Sequence, residues 1–234
     1  MRNPIILALD VPEIESARRL VRELAPVVGA FKIGKELFVA TGPDLVREIR
    51  ATGASVFLDL KFHDIPNTVA KAVASAVRLD VQILTVHASG GHEMLAAAEE
   101  AAQQTARQRA SEAPLVLGVT VLTSMDNENL AEIGVSSNVG QQVERLAMLA
   151  AKSGLRGLVC SPLEIASLRQ IIPAKMQLVT PGIRPGGGGG DDQKRTLSPR
   201  EAMEAGASWL VIGRPIYQAA NPRKAAQEIL ATIG

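Results

Sequence analysis

The sequence predicts an α/β protein of (β/α)8 type, a single closed barrel, and three observations point there. Eight short aliphatic runs alternate with amphipathic segments along the whole chain. Apolar residues make up 47% of the 234 residues and aromatic ones only 3%, so the core must be built from Val, Ile, Leu and Ala, as in parallel strands buried on both faces. No segment has the character of a domain linker, and the length is close to the roughly 250 residues such a barrel uses. Residues 1–234 are therefore expected to form one domain.

In chain order, strands are expected at residues 5–11, 30–35, 55–62, 83–89, 115–123, 157–161, 177–183 and 209–216. After the first, Ile14, Ala17, Leu20, Val21 and Leu24 recur at helical spacing. Gly29, Gly53, Gly154 and Gly206 each precede a strand, the place of a helix C-cap. Residues 125–133 read as an extra helix after strand five. Residues 184–198 form a long connection after strand seven, with five consecutive glycines at 186–190. A loop of this length inside a compact domain is usually functional, and a lid on the phosphate-side face is expected. The alternative architecture, an open doubly wound sheet, would show a Gly-rich turn after the first strand, where LALDVPE stands instead. The count of eight units favours closure.

Composition removes several function classes. With 25 basic and 24 acidic residues the net charge is +1, which leaves no basic footprint for nucleic acid. Scarce aromatics argue against stacking platforms for single strands. No stretch reaches the roughly 18 apolar residues that span a bilayer, and MRNPIILALDV is too short an apolar run for a signal segment. The single cysteine, Cys160 in GLVCSP, excludes an internal disulfide and reads as a buried thiol of a reducing, cytoplasmic setting. The three histidines are too scattered for a metal site, and His63 and His87 read as structural. Glu99, Glu100, Arg107 and Arg109 read as solvated helix faces, and Met94, Met148 and Met203 as core filler.

Barrel chemistry sits at the C-terminal ends of the strands. Those ends carry Asp10 on strand one, Lys32 on strand two, Asp59 and Lys61 with Asp64 just beyond on strand three, and His87 and Ser89 on strand four. Thr123 and Ser124 end strand five, and Arg184 and Gly213-Arg214 end strands seven and eight. Asp59 and Lys61, two apart, should share one face, with Leu58 and Leu60 on the other. By the same alternation Lys32 points inward between outward Phe31 and Ile33. Ionised groups inside a barrel are costly unless paired, and one structural salt bridge would not require four charges on neighbouring strand ends. Gly213 lets backbone N–H groups approach an anion, and Arg184 and Arg214 each offer a bidentate fork, so a phosphate is expected there.

DLKFHDIPNT, with LALD upstream, FKIGK on strand two, PGIRP with DQKR downstream and IGRPI near the end, strongly resembles the orotidine 5′-monophosphate decarboxylases, over about residues 5–232. The resemblance implies a (β/α)8 TIM barrel that converts orotidine 5′-monophosphate (OMP) to UMP and CO2, the last step of de novo pyrimidine nucleotide biosynthesis. It implies neither metal nor cofactor. Asp10 would bind the ribose side and Lys32 a ribose hydroxyl within an alternating Lys-Asp-Lys-Asp network. Asp59 would lie against the substrate carboxylate, and Lys61 would protonate the C6 carbanion. Asp64, Ile65 and Thr68 would reach into the site of a second subunit, which implies a homodimer with shared active sites. Thr123 and Ser124 would line the pyrimidine pocket, and Gln193, Gly213 and Arg214, with Arg184 beside them, would hold the phosphate.

The nearest rival is the related family of keto-gulonate phosphate decarboxylase and hexulose phosphate synthase. It shares the Asp-x-Lys-x-x-Asp strand but uses Mg²⁺, held partly by a Glu on strand two, where this chain has Lys32. A rival of another class is a non-catalytic phosphate-binding barrel, which would not require Lys61 between two acids.

Overall fold

A computed structural model describes residues 3–185 and 196–233. Eight parallel strands close on themselves in sequence order, each paired with the one before and the one after. The first half runs β1 (Ile5–Ala8), α1 (Ile14–Leu24), β2 (Ala30–Gly34), α2 (Lys35–Thr41), α3 (Asp44–Ala51), β3 (Val56–Phe62), α4 (Pro66–Arg78), β4 (Ile83–His87) and α5 (Gly91–Gln108). The second half runs β5 (Leu115–Val119), α6 (Asn127–Glu132), α7 (Val139–Lys152), β6 (Gly157–Val159), α8 (Ile165–Ile171), β7 (Gln177–Thr180), α9 (Pro199–Glu204), β8 (Trp209–Ile212), α10 (Arg214–Tyr217) and α11 (Pro222–Ala231). The open-sheet alternative is thereby excluded, because β1 pairs with both β2 and β8.

Strand alternation builds two apolar layers. Ile5, Leu7, Phe31, Ile33, Val56 and Leu58 meet the helices, whose buried stripes include Ala17, Leu20, Val21 and Leu24 of α1. Ile6, Ala8, Ala30, Phe57, Ile83, Leu117, Val179, Trp209 and Val211 fill the barrel's interior. The inward positions above this plug are Lys32, Asp59 and Thr85, so the polar groups stand on an apolar floor. The spacing of Phe31, Lys32 and Ile33 therefore has the consequence expected of it.

Several boundaries differ from expectation. Seven strands end one to four residues early; after β1, β5 and β7 this is because Leu9, Val121 and Ile183 stay buried once the ladder has ended. Apolarity reports burial there, not pairing. The eighth strand stops at Ile212, since Pro215 fixes a helical φ in the first turn of α10 and has no N–H to give a ladder. The extra helix after strand five is confirmed as α6, closed at its start by a capping box on Asp126.

Gly53, Gly154 and Gly206 have positive φ, as C-caps do. Gly29 does not; a Cβ there would run into the Asn3 carbonyl and stand 3.0 Å from the Trp209 ring. Glu99 also departs from its expected place. It is buried, and it pairs with Arg156 at 2.8 Å, whereas Glu100 is exposed. Met94 is core and Met203 packs against it, but Met148 is 41% exposed.

Of the long connection at 184–198, the glycines lie outside the described residues. Its base is closed: Ile183 bridges to Leu197, and the Arg184 N–H donates to the Leu197 carbonyl at 3.0 Å. Ser198 then caps α9 in a capping box with Glu201. Among the described residues, no helix is long and apolar enough to cross a membrane.

Candidate active site

A cavity of about 270 Å³ opens at the C-terminal ends of the strands. It brings together Asp10, Lys32, Asp59, Lys61, Thr123, Arg184, Gly213 and Arg214, drawn from six strands' ends. Phe57, Val119, Val159 and Val211 form its apolar floor, and Tyr217 stands on its wall. The charged side lies at β2 and β3, and the arginines come from the segments after β7 and β8.

The charges form a chain. Lys32 Nζ donates to Asp10 Oδ1 at 2.8 Å and lies 3.9 Å from Asp59 Oδ2. Lys61 Nζ donates to both oxygens of Asp59, at 2.8 and 2.9 Å. Acid and base therefore alternate as Asp10, Lys32, Asp59, Lys61 within one chain, and the nearest carboxylate to Lys32 is Asp10. Such alternation is what lets four ionised groups share a half-buried site, each offsetting its neighbour's desolvation. Gly34 makes room for it: a Cβ there would stand 3.3 Å from Lys32 Nζ and 3.5 Å from Asp10 Oδ1.

Lys61 reaches this position by a route that alternation does not supply. The β3–β4 register shifts between Leu58, paired with Leu84, and Phe62, paired with Val86. Within that bulge Lys61 takes a left-handed backbone, φ 53°. Thr85, fully buried on β4, bonds both to the Lys61 amide and to Asp59. Sequence reasoning passed over Thr85 and Gly34. The available signal for Thr85 was a hydroxyl at an inward position of an otherwise aliphatic strand.

The remaining expected residues are placed otherwise. Asp64, Ile65 and Thr68 are exposed beyond the end of β3 and do not line this cavity. Asp64 Oδ1 accepts the Ile65 N–H at 2.7 Å, and Ile65 is 66% exposed. Ser124 is exposed and lies outside the lining, which takes Leu122 and Thr123 from that segment. Gln193 lies outside the described residues. The rings of His63 and His87 lie beside the cluster with centroids 5.5 Å apart, tilted 44° to one another. Burial, then the neighbouring His63 and lysines, holds His87 below the usual imidazole range, so it favours the neutral form. Burial pushes the Cys160 thiol up to about 12, which makes it a poor nucleophile although it touches the cavity wall.

Known proteins resemble this chain over its full length. It is 52% identical to the orotidine 5′-phosphate decarboxylase of Opitutus terrae, over 100% of this chain and 99% of that one. It is 51% identical to the orotidine 5′-phosphate decarboxylase of Pseudomonas syringae pv. tomato, over 99% of this chain and 98% of that one. Among solved structures, the orotidine 5′-phosphate decarboxylase of Lactobacillus acidophilus superposes with a TM-score of 0.88 at 35% identity, covering 99% of both chains. Residues 3–229 match one family over nearly the whole barrel, and by that match the chain belongs to the orotidine 5′-phosphate decarboxylase / HUMPS family.

Proposed function

We propose that this chain decarboxylates orotidine 5′-monophosphate, and that Lys61, held by both oxygens of Asp59 at the mouth of the barrel, is the group that carries the reaction. About 50% identity to proteins of that activity over the full chain supports the reading. Loss of CO2 breaks the C6–carboxylate bond and leaves the electron pair on C6, with no carbonyl placed to delocalise it. A preorganised cation is the available stabiliser, and the Lys61 ammonium stands ready as one. Lys61 then transfers a proton from Nζ to C6 and regains one from solvent. Asp59 would face the substrate carboxylate, a repulsion that leaves with CO2.

The other roles are those the family resemblance implies, and the lining of the cavity supports them for Asp10, Lys32, Thr123, Arg184, Gly213 and Arg214. Lys32 and Asp10 would take the ribose hydroxyls, and Thr123 with Ser124 the pyrimidine. Arg184, Gly213 and Arg214, together with Gln193, would take the phosphate, which lies remote from C6. Its binding energy would be used to close the site and hold the ring. Asp64, Ile65 and Thr68, exposed on this chain, would complete the site of a second copy in a homodimer. The reading needs no nucleic acid and no membrane, and it places the enzyme in the cytoplasm.

The family also contains a branch of metal-dependent sugar-phosphate enzymes. Lys32 favours the decarboxylase reading, because its ammonium stands beside Asp10 and Asp59 and repels a divalent cation. The test is absorbance-followed conversion of OMP to UMP, with and without EDTA. Undiminished turnover in EDTA is expected. No turnover of OMP, or turnover that EDTA abolishes, would overturn the reading.

A further inference from the structure

Thr85 lies at the centre of the β3 irregularity yet takes no part in lining the cavity. Its side chain is fully buried on the barrel's inner face, in register with Leu117 of β5. The hydroxyl makes two bonds with opposite roles: Oγ1 accepts the Lys61 amide N–H at 2.9 Å and donates to Asp59 Oδ1 at 3.0 Å. One proton and one lone pair are thus matched to one acceptor and one donor, both belonging to the catalytic strand.

The first bond answers a problem the bulge creates. Between its two paired positions β3 advances by four residues, Leu58 to Phe62, while β4 advances by only two, Leu84 to Val86. Inside that stretch the Lys61 amide is held by a side chain of β4. Lys61 meanwhile sits in the left-handed region, which a residue with a Cβ occupies only when its surroundings impose it. The second bond fixes the rotation of the Asp59 carboxylate, and both oxygens of that carboxylate hold Lys61 Nζ.

We propose that Thr85 is a positioning residue for the decarboxylation: its single hydroxyl locks the Lys61 backbone and the Asp59 carboxylate together, and so aims Lys61 Nζ into the cavity. The proposal rests on the function proposed above for Lys61. Thr85 touches no part of the substrate space, so its loss acts on the chemical step and leaves binding nearly alone. Proton transfer to carbon needs close alignment, and small misplacements of a reacting group cost much more rate than affinity.

The experiment compares the wild type with Thr85→Val, which keeps the shape without the hydroxyl, and with Thr85→Ser, which keeps the hydroxyl. Amide hydrogen exchange at Lys61, read by NMR, tests the lock without reference to any reaction. Protection is expected to fall by roughly tenfold or more in Thr85→Val and to be retained in Thr85→Ser. In OMP turnover, Thr85→Val is expected to lower kcat by roughly 10- to 100-fold with KM within about twofold, and Thr85→Ser to stay within about threefold of wild type. Unchanged kcat in Thr85→Val, a rise in KM that accounts for the whole loss, or equal damage in Thr85→Ser would each overturn the proposal. A wild type that does not turn over OMP would instead overturn the function assigned to Lys61. In that case the exchange measurement still decides whether Thr85 holds the bulge.

Discussion

Lys32 makes its 2.8 Å bond to Asp10, and that contact changes how the charges should be counted. The inward faces of Lys32 and Asp59 were legible because strand alternation and neighbouring strand ends decide which side chains meet. The part played by Asp10 as the closer, solvent-side partner of Lys32 was not, since Gly34 leaves the space in which the two meet. The left-handed backbone of Lys61 was also hidden: two-residue spacing gives the correct face, but by a bulge instead of a regular strand. On the far wall, Arg214 is assigned to the phosphate, and a charge-assisted bidentate bond is strong. Arg214→Ala is expected to lower kcat/KM for OMP by roughly a hundredfold, about 3 kcal/mol of lost transition-state binding. An unchanged kcat/KM would remove Arg214 from the phosphate site.

At the scale of elements, the order and approximate placement of all eight strands followed from aliphatic runs and glycine punctuation. Their ends did not, because Leu9, Val121 and Ile183 remain buried after pairing has stopped. The start of α10 was missed for a different reason. Ile216 reads as an extension of the apolar run of β8, but the run breaks at Gly213-Arg214 and Pro215 imposes a helical φ. Gly29 shows that a glycine before a strand has more than one possible cause. Steric exclusion by Asn3 and Trp209 selects it, not a left-handed cap. Gly29→Ala is accordingly expected to destabilise the fold by about 1–3 kcal/mol, a fall in Tm of roughly 2–10 °C by differential scanning calorimetry. An unchanged Tm would mean that the amino-terminal segment at Asn3 moves aside freely.

For the whole molecule, closure of the barrel is what converges residues from β1, β2, β3 and the segments after β5, β7 and β8 on one cavity. A single chain supplies the acid–base alternation but leaves Asp64, Ile65 and Thr68 exposed at its edge. No pattern within one sequence reveals whether such residues serve a second copy; resemblance alone suggested it. If each site takes Lys61 from one copy and Asp64 from the other, two inactive variants can restore each other. Lys61→Ala and Asp64→Ala, unfolded together and refolded as a mixture, are expected to regain about a quarter of wild-type activity, as a two-fold-symmetric dimer requires. A mixture as inactive as its components would show that each chain's site is self-contained.

The proposed mechanism has Lys61, held by both oxygens of Asp59, supply both the stabilising charge and the proton. It is tested most directly by kcat of Lys61→Ala on OMP, with circular dichroism to show that the barrel is intact. A loss of at least about a hundredfold is expected, within the range a general acid contributes. Retention of even about a tenth of wild-type turnover by a folded Lys61→Ala protein would contradict the account, because a group carrying the reaction is worth more than that.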